Sequence, residues 1–570
     1  MLQLILTMAL YLLMVIPAGN YLYHIAAGKH TFADPVFDRV DGFLYRLCGV
    51  DPQRPMNWRQ YALTLLGANA SMMLLGYLVL RLQAVPLLNP NGVGAMGRSL
   101  SLNTIISFMT NTNLQHYAGE TGLSYLSQML VITFMMFVSA GSGYAACMAF
   151  IRGLAGQTGE NVGSFYADLI RITTRVLLPF SMLGGLVLVW QGVPQTLSGN
   201  VVVDTIEGAR QVIAMGPVAS LEIIKHIGTN GGGFLGANSA TPIENPTILT
   251  NLIELYAMML LPGACVITFG KMVRSRKGRG LTARCFGMEG RTVFAAMGIL
   301  FVIGLALCFW AESKGNPLLA SAGLSQSMGS MEGKEVRFGI AQSAMFTTAT
   351  TSFTTGSVNN MHDTLTPLGG LVPLLHMMLN VVFGGKGVGL MNMIVYAILA
   401  VFLCGLMIGR TPEYLGKKIE GREMKLTALC IIIHPLLILA FTAVAVGTSG
   451  GLAGVSNPGF HGLSQILYEY ASSAANNGSG FEGLADNSLF WNLTTGAAMF
   501  LGRYVSIFLQ LAIAGSLMKK PFVSDSAGSL HTDTPAFPII LVAVVYIFAA
   551  LTFFPVLALG PIAEHLTLFA

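Results

Sequence analysis

Ten stretches of about 20 apolar residues dominate this sequence. They lie at residues 1–23, 60–80, 124–150, 172–190, 248–270, 292–311, 367–408, 426–447, 489–517 and 537–558. A helix needs about 20 such residues to cross the hydrocarbon core of a bilayer. Only 10% of the 570 residues are charged, against roughly 25% in an ordinary soluble domain. The sequence therefore predicts an all-α polytopic membrane protein with ten transmembrane helices and excludes a soluble multidomain enzyme.

The distribution of Lys and Arg predicts the orientation of these helices. The loops on one side, with a residue or two of flanking helix, hold 22 of the 31 basic residues, and the loops on the opposite side hold seven. Because basic loops stay in the cytoplasm, we expect both termini outside it. Lys386 and Arg503 fall inside apolar stretches, where charges are costly and are functional candidates by default. The net charge of +5 gives no support for a nucleic-acid partner.

Four short polar segments recur on the outer side of the predicted membrane. Each reads as a half-length helix followed by a stop rich in Thr, Asn, Ser and Gly. With Asn111, Thr229, Thr354 and Asn476 taken as equivalent, the steps are 118, 125 and 122 residues. Near-equal steps are typical of internal repeats. We expect four repeats of span, pore helix and span around one pore, with one extra span at each end.

These repeats divide the chain into six segments. They are residues 1–59 (first span and cytoplasmic loop), 60–150 (repeat 1), 168–271 (repeat 2), 291–408 (repeat 3, with a broken second span), 425–517 (repeat 4) and 518–570 (cytoplasmic loop and last span).

The four stops have the composition of a monovalent cation site. A short helix that ends midway through the membrane directs its partially negative C-terminus at the centre, which favours a cation. Backbone carbonyl groups in the residues that follow can replace the hydration shell of K⁺. The stops contain no acidic residue, whereas a divalent-cation site would be expected to supply carboxylates. The pattern favours a K⁺ filter over a Na⁺ filter; the alternative is that each stop is an ordinary surface turn.

The third repeat contains an interruption. Gly384, Gly385, Lys386 and Gly387 lie between apolar stretches, and Gly propagates a helix poorly. Non-helical backbone at membrane depth is tolerated where it lines a cavity, so this segment is a candidate gate. The alternative is a kinked helix whose Lys386 extends to the membrane surface. In the fourth repeat, Arg503 is a candidate electrostatic barrier to leakage or, alternatively, a structural cation near the filter.

Several long strings point to a family. LNPNG (88–92), GTNGGGFLGANSATPIENPT, GLMIGRTPEYLGKKIE and LALGPIAEHL resemble the potassium-binding subunit of the bacterial Kdp potassium-transporting ATPase, and the resemblance covers essentially the whole chain. That family is grouped with the Trk, Ktr and HKT transporters. The resemblance implies a non-catalytic subunit in a bacterial cytoplasmic membrane, surrounded by lipid, with K⁺ as transported ligand and no covalent cofactor. It also implies three partners: a P-type ATPase subunit that receives K⁺ and hydrolyses ATP, a single-span auxiliary subunit and a very small membrane subunit.

The resemblance also assigns residues. The filter positions are Asn111, Thr112, Thr229, Asn230, Gly231, Thr354, Thr355, Gly356, Asn476, Asn477 and Gly478. Gln115 matches a position that affects K⁺ handling, and Arg503 matches a basic residue below the filter. The family pattern has an acidic residue at position 380 and an uncharged one at 386, where this chain has Asn380 and Lys386. It reads Ser-Asn-Gly at positions 354–356, a difference that bears on selectivity against Rb⁺ or NH₄⁺.

Two other functions compete with this prediction. A free-standing K⁺ channel or symporter of the Trk/HKT type would share the repeats but need no ATPase partner. An intramembrane serine hydrolase is suggested by residues 447–451, which match G-x-S-x-G around Ser449. That motif requires a strand-to-helix turn, whereas here it follows an apolar span, and neither His434 nor His461 is suitably placed.

Overall fold

The computed structural model describes residues 2–273, 280–523 and 531–569, and almost all regular structure in them is helical. The helices are α1 (Leu2–Ala26), α2 (Asp34–Leu47), α3 (Trp58–Leu82), α4 (Arg98–Met109), α5 (Gly119–Gly122), α6 (Tyr125–Ser127), α7 (Phe134–Ala155), α8 (Phe165–Ile172), α9 (Leu178–Trp190), α10 (Val218–Ile227), α11 (Ile248–Met272), α12 (Leu281–Phe286), α13 (Met288–Ser313), α14 (Pro317–Ser321), α15 (Gly339–Ser352), α16 (Pro367–Leu379), α17 (Val388–Ile408), α18 (Gly421–Val446), α19 (Ser449–Leu452), α20 (Phe460–Ala475), α21 (Leu489–Met518), α22 (Phe537–Leu557) and α23 (Ala563–Leu568). Short π-helical turns join α6 to α7, α8 to α9 and α22 to α23.

Within the described ranges, ten helical segments are long and apolar enough to cross a membrane. They are Leu2–Ala26, Trp58–Leu82, Tyr125–Ala155, Phe165–Trp190, Ile248–Met272, Met288–Ser321, Val388–Ile408, Gly421–Val446, Leu489–Met518 and Phe537–Leu568. The prediction of ten transmembrane helices is confirmed. The orientation stays a prediction, and four basic residues used for it, Arg274, Arg276, Lys277 and Arg279, lie outside the described residues.

Helix starts follow from local side-chain chemistry. Helix α3 begins after Asn57, whose side chain accepts hydrogen bonds from the backbone N–H groups of the first turn while Gln60 bonds back to the Asn57 N–H. Thr247 and Thr250 form the same reciprocal arrangement at the start of α11. Such capping boxes satisfy N–H groups that have no partner within the helix.

The predicted interruption of the third repeat is present. Helix α16 ends at Leu379, Asn380 adopts a left-handed conformation (φ 48°), and α17 begins only at Val388. Three glycines between the two helices, at 384, 385 and 387, also have positive φ. The seventh span is therefore α17 alone, and α16 is a shorter apolar helix of 13 residues.

The four pore-helix candidates, α4, α10, α15 and α20, lie among the long helices. Helix α4 packs against α3 and α21, α10 against α9 and α11, α15 against α13 and α16, and α20 against α18 and α21. Most of their residues are buried although many are polar; in α15, eleven consecutive residues from Gln342 to Ser352 are buried. Burial of polar stretches requires internal hydrogen bonds, and these are found at the helix ends.

In the described part of the chain, three two-stranded antiparallel sheets connect loops. Strand β1 (Met56–Asn57) pairs with β2 (Asn161–Gly163), β3 (Val201–Asp204) with β4 (Arg210–Ile213), and β5 (Glu413–Tyr414) with β6 (Lys417–Lys418).

Helix α2 is held by Arg175, which forms ion pairs with Asp34, Asp38 and Asp41 at 3.2, 2.5 and 2.5 Å. Arg175 is 2% exposed, so this cluster fixes the first predicted inner loop to the π-helical turn between α8 and α9.

Candidate functional site

The helices α4, α10, α15 and α20 end in the same backbone turn. The residue that reverses the chain has a left-handed conformation in each case: Asn111 (φ 63°), Thr229 (49°), Thr354 (48°) and Asn476 (56°). The N–H of the following residue then donates to a carbonyl five residues back, from Thr112 to Ser107 (2.9 Å), Asn230 to Lys225 (2.7 Å), Thr355 to Thr350 (2.8 Å) and Asn477 to Ser472 (3.0 Å). This is the 6→1 bond of a Schellman cap.

Two of these caps are strained. Asn tolerates the left-handed region because its short side chain can bond locally, but Thr is β-branched and rarely adopts it. The left-handed conformation of Thr229 and of Thr354 therefore costs on the order of 1–3 kcal/mol each. Such strain concentrates at functional sites. The buried hydroxyls of Thr229 and Thr355 have no hydrogen-bond partner among the described residues. Thr229, Thr354 and Thr355 are buried, so these two turns do not lie on the protein surface.

Three glycines bring the loops into contact. A Cβ atom on Gly231 would lie 2.6 Å from the Thr112 carbonyl oxygen and 2.7 Å from that of Asn477. A Cβ atom on Gly356 would lie 2.7 Å from the Gly231 Cα, and one on Gly478 would lie 2.9 Å from it. Both glycines have positive φ. Residues from all four loops therefore meet at one point, where any side chain larger than hydrogen would collide with carbonyl oxygens.

Side-chain amides fix the first loop to the second. The Asn111 Nδ2 donates to the Thr229 carbonyl at 2.7 Å, and the Asn111 Oδ1 accepts from the Asn230 Nδ2 at 2.9 Å. Asn230 also donates to Asn113 at 3.1 Å, and Ser139 on α7 donates to the Asn111 Oδ1 at 2.8 Å. All five residues are buried, so each bond forms away from bulk water.

The fourth loop is held in a similar manner. The Asn476 Nδ2 donates to the Thr112 hydroxyl and to the Met499 carbonyl, both at 3.0 Å. The Asn477 Nδ2 donates to the Thr350 carbonyl in α15 at 2.9 Å. The fourth loop therefore contacts both the first loop and the third pore helix.

Gln115 lies above the first loop. Its Nε2 donates to the Gly233 carbonyl and its Oε1 accepts from the Gly233 N–H, both at 3.0 Å. Gln115 lines a cavity of about 350 Å³ together with Gly231, Gly356 and Gly478. We call this cavity the outer mouth, because it lies directly against the point where the loops meet and is lined by loops that the sequence predicts to face outward.

The interrupted span carries Lys386 to the opposite side of the loops. Lys386 is 2% exposed and its Nζ donates to the Thr229 carbonyl at 3.4 Å. Gly384 and Gly385 reach the third loop, because their N–H groups donate to the Ser352 and Phe353 carbonyls at 2.8 and 2.6 Å. The alternative of a kinked helix with Lys386 extended to the membrane surface is wrong, since the chain leaves the helix and buries the ammonium group.

Arg503 on α21 lies near Lys386. It is 5% exposed, and a side chain at Gly143 would contact both its guanidinium and the Lys386 Cδ. Among the described residues, no carboxylate pairs with either cation. Two buried basic side chains thus lie close together beside the second loop.

The outer mouth contains a cluster of one histidine and two carboxylates that the sequence prediction missed. His116, Glu469 and Asp486 converge there although they are up to 370 residues apart. Burial opposes the charged form of His116, but the Asp486 charge and the Glu469 hydrogen bond outweigh it and raise the pKa of His116 to about 9. Burial raises the pKa of Asp486 to about 7. The Asn492 side chain, 2.7 Å from the His116 Nδ1, completes the cluster.

The serine-hydrolase motif does not form a nucleophile elbow. Residues before Gly447 belong to helix α18 rather than to a strand, and Thr448 caps the four-residue helix α19, in which Ser449 is the first residue. The strand-to-helix turn that exposes a catalytic serine is therefore not formed at this position.

Comparisons with known proteins identify the family. A family model described as the potassium-transporting ATPase A subunit matches residues 5–566. The chain is 56% identical over 567 residues to a protein of Clostridium acetobutylicum and 52% identical over 559 residues to one of Geobacillus kaustophilus, covering 100% and 98% of each chain, respectively. Both relatives are named potassium-transporting ATPase potassium-binding subunit.

A solved structure shares the fold. The crystal structure of the potassium transporter TrkH from Vibrio parahaemolyticus matches with a TM-score of 0.51 over 89% of this chain and 96% of that chain. At 14% identity this similarity shows the fold alone. The family match extends over nearly the whole chain, as the resemblance of its strings predicted. The chain belongs to the family of potassium-transporting ATPase A subunits.

Proposed function

We propose that this chain binds K⁺ from the outside in a filter formed by its four loops and passes the ion to an ATPase subunit. The observation that carries the proposal is the meeting of Gly231, Gly356 and Gly478 with the carbonyl oxygens of Thr112 and Asn477. A collar of carbonyl oxygens replaces the hydration shell of a monovalent cation. The relatives are named as potassium-binding subunits, which agrees with this chemistry.

The pore helices supply a second contribution. Each of the four ends at its loop, so the partially negative C-termini of α4, α10, α15 and α20 are directed at the ion. The free hydroxyls of Thr229 and Thr355 add two oxygen ligands that need no reorganisation. The proposal includes the fourfold repeat with the segment boundaries given above, since each repeat would contribute one pore helix and one loop.

The cations below the loops are proposed as the gate. Lys386 and the glycines at 384, 385 and 387 form a non-helical segment against the second and third loops, and Arg503 lies close by. A unit charge about 4 Å from K⁺ repels it by about 4 kcal/mol at an effective dielectric constant of about 20. These charges would prevent passive leakage until a partner subunit draws the ion aside. Gln115 would fix the width of the outer mouth.

The energy source is proposed to be a partner. The names of the relatives place them in a potassium-transporting ATPase, so ATP hydrolysis would occur on a P-type ATPase chain. A single-span auxiliary subunit and a very small membrane subunit would complete the assembly in the bacterial cytoplasmic membrane, with both termini of this chain outside. Copurification with these subunits would distinguish this function from that of a free-standing Trk/HKT-type channel.

The test is the K⁺ dependence of ATP hydrolysis by the purified assembly. Gly231→Ala should raise the K⁺ concentration for half-maximal stimulation at least tenfold, because the added methyl group lies within 2.7 Å of two carbonyl oxygens. Gly231→Asp should abolish stimulation at low K⁺. Gly298→Ala is the matched control, since Gly298 lies within α13 with no atom within 4 Å of the added Cβ. Unchanged K⁺ dependence in both Gly231 variants would refute the filter.

A further inference from the structure

Three possible metal ligands meet in the outer mouth, from separate parts of the chain. His116 follows the first loop, Glu469 belongs to α20, and Asp486 precedes α21. The His116 Nε2 lies 3.2 Å from the Glu469 Oε1 and 3.9 Å from the Asp486 Oδ2. One ligand atom from each residue lies within 4.8 Å of the other two.

The hydrogen bonds around His116 orient its ring for ligation. The Asn492 Nδ2 faces the Ser99 hydroxyl and the Asn487 Oδ1, both at 3.3 Å, so the Asn492 Oδ1 is directed at His116. At 2.7 Å, this oxygen accepts the Nδ1–H of the imidazole. In the metal-free cluster the Nε2 hydrogen faces Glu469 at 3.2 Å and Asp486 at 3.9 Å, and a divalent metal ion would replace this hydrogen between the same atoms. A histidine whose other nitrogen is bonded in this way is the usual arrangement of a metal-binding imidazole.

The spacing fits a small divalent ion. Metal–ligand distances of about 2.0–2.2 Å in a tetrahedral site separate neighbouring ligand atoms by about 3.4 Å. The observed 3.2 and 3.9 Å bracket that value. Asp486 is 24% exposed while His116 and Glu469 are 0% and 2% exposed, so two ligands are fixed and the third can adjust.

We propose that His116, Glu469 and Asp486 form a binding site for a divalent transition-metal ion of the Zn²⁺ class. One imidazole and two carboxylates suit Zn²⁺ and its neighbours, whereas Mg²⁺ and Ca²⁺ prefer oxygen ligands alone. The outer mouth is the route by which the ion would arrive and offers space for a water as fourth ligand.

A second cluster of possible metal ligands differs from the His116 site in its charge and in its access to a cavity. Glu222, His226 and Glu254 also lie within ligand distance of one another. There the Lys225 Nζ lies 2.6 Å from Glu222 and already supplies the positive charge, and every member is fully buried. The cluster at His116 contains no lysine and faces a cavity.

The effect on transport rests on the proposed function. The metal ion would share the outer mouth with Gly231, Gly356 and Gly478, so its charge would oppose the approach of K⁺ to the loops. External Zn²⁺ should therefore raise the K⁺ concentration needed for half-maximal uptake at least tenfold.

Binding is tested with Co²⁺ as a spectroscopic substitute for Zn²⁺, on the full-length chain purified without a histidine tag. The wild type should give a saturable visible absorption band at one Co²⁺ per chain, which Zn²⁺ abolishes. Asp486→Asn should weaken Co²⁺ binding at least tenfold and His116→Gln should remove the band. Asp204→Asn is the matched control, because Asp204 is 79% exposed on the β3–β4 hairpin and should leave the band unchanged.

Since His116 is buried, folding of each variant is checked by its melting temperature, and Asp486→Asn alone is sufficient for the comparison. A wild type without a saturable band, or an Asp486→Asn variant that binds Co²⁺ as tightly as the wild type, would overturn the site. Equal Zn²⁺ inhibition of K⁺ uptake in the wild type and in Asp486→Asn would also overturn it.

The two proposals fail separately. A band that depends on Asp486 in a chain whose assembly shows no K⁺ dependence would support the metal site and refute the filter. Normal K⁺ dependence without a Co²⁺ band would do the reverse.

Discussion

The Lys386 ammonium group donates to the Thr229 carbonyl oxygen at 3.4 Å, and the same oxygen receives the Asn111 side-chain amide at 2.7 Å. One carbonyl of the second loop thus accepts hydrogen bonds from both the Lys386 side chain and the first loop. Because Thr229 is also the strained residue of its cap, the position of this carbonyl is set by three independent constraints.

We expect Lys386→Gln to increase passive K⁺ flux at least tenfold. A charged Lys386 would repel a K⁺ ion about 4 Å away by about 4 kcal/mol at an effective dielectric constant of about 20, and the substitution removes this repulsion. The measurement is ⁸⁶Rb⁺ uptake into proteoliposomes without ATP. Lys386→Arg keeps the charge and should remain closed. Equal flux in Lys386→Gln and the wild type would show that Lys386 is no barrier.

Asn111→Gly should reduce discrimination between K⁺ and Na⁺ by at least tenfold. Gly accepts the positive φ of 63°, so the backbone turn is retained while the bonds to Thr229, Asn230 and Ser139 are lost. Stimulation of ATP hydrolysis by each ion gives the ratio. Thr158→Gly, at another left-handed position (φ 49°) between α7 and β2, serves as control and should retain the ratio. Retained selectivity in Asn111→Gly would mean that backbone geometry alone sets it.

The folding stability should fall between pH 6.5 and 9 through His461. Its ring bonds to Glu564 at 2.9 Å and to Asp363 at 3.0 Å; these carboxylates outweigh the burial cost and raise the pKa of His461 to about 9. A raised pKa stabilises the folded state fully below the ordinary value of about 6.5, and this contribution is lost as the pH rises to about 9. From the size of the shift, the loss is at most about 3 kcal/mol.

Thermal unfolding at several pH values measures this effect. The difference in melting temperature between the wild type and His461→Gln should shrink as the pH approaches 9. His30→Gln is the control, since the His30 side chain is 91% exposed, and it should follow the wild type throughout. A difference that is constant with pH would contradict the assignment.

Arg175→Met should destabilise the protein by about 3–5 kcal/mol, because it leaves buried carboxylates without their counter-charge. Asp34 and Asp41 have side chains only 10% and 6% exposed in the cluster. Chemical or thermal unfolding gives the change. Arg210→Met removes an ion pair at 3.9 Å whose side chains are 84% and 79% exposed, and should change stability by less than about 1 kcal/mol. Similar losses in both variants would argue against the buried cluster.

The long spans could be predicted from the sequence because each depends on about 20 consecutive residues. Apolar runs such as 248–270 and 489–517 match the helices Ile248–Met272 and Leu489–Met518 within a few residues. The ends of the pore helices were also readable, since Asn111 and Asn476 are residues that stop a helix in a left-handed turn.

Contacts between distant segments could not be predicted. Lys386 is 157 residues from Thr229, and nothing in the local pattern indicates which carbonyl its ammonium group reaches. The sequence also allowed the alternative of a lysine extended to the membrane surface. The cluster of His116 with Glu469 and Asp486 was missed for the same reason, because two loops and helix α20 must come together before these residues meet.

The Gln115 amide bonds to both the N–H and the C=O of Gly233, so the first two loops cannot separate without breaking two hydrogen bonds at once. The two loops thus form one rigid edge of the outer mouth. A shorter side chain at position 115 would break both bonds together, and the first two loops would then be joined only by their deeper contacts among Asn111, Asn113, Thr229 and Asn230. Any resulting loss of size selection would therefore involve the second loop as much as the first.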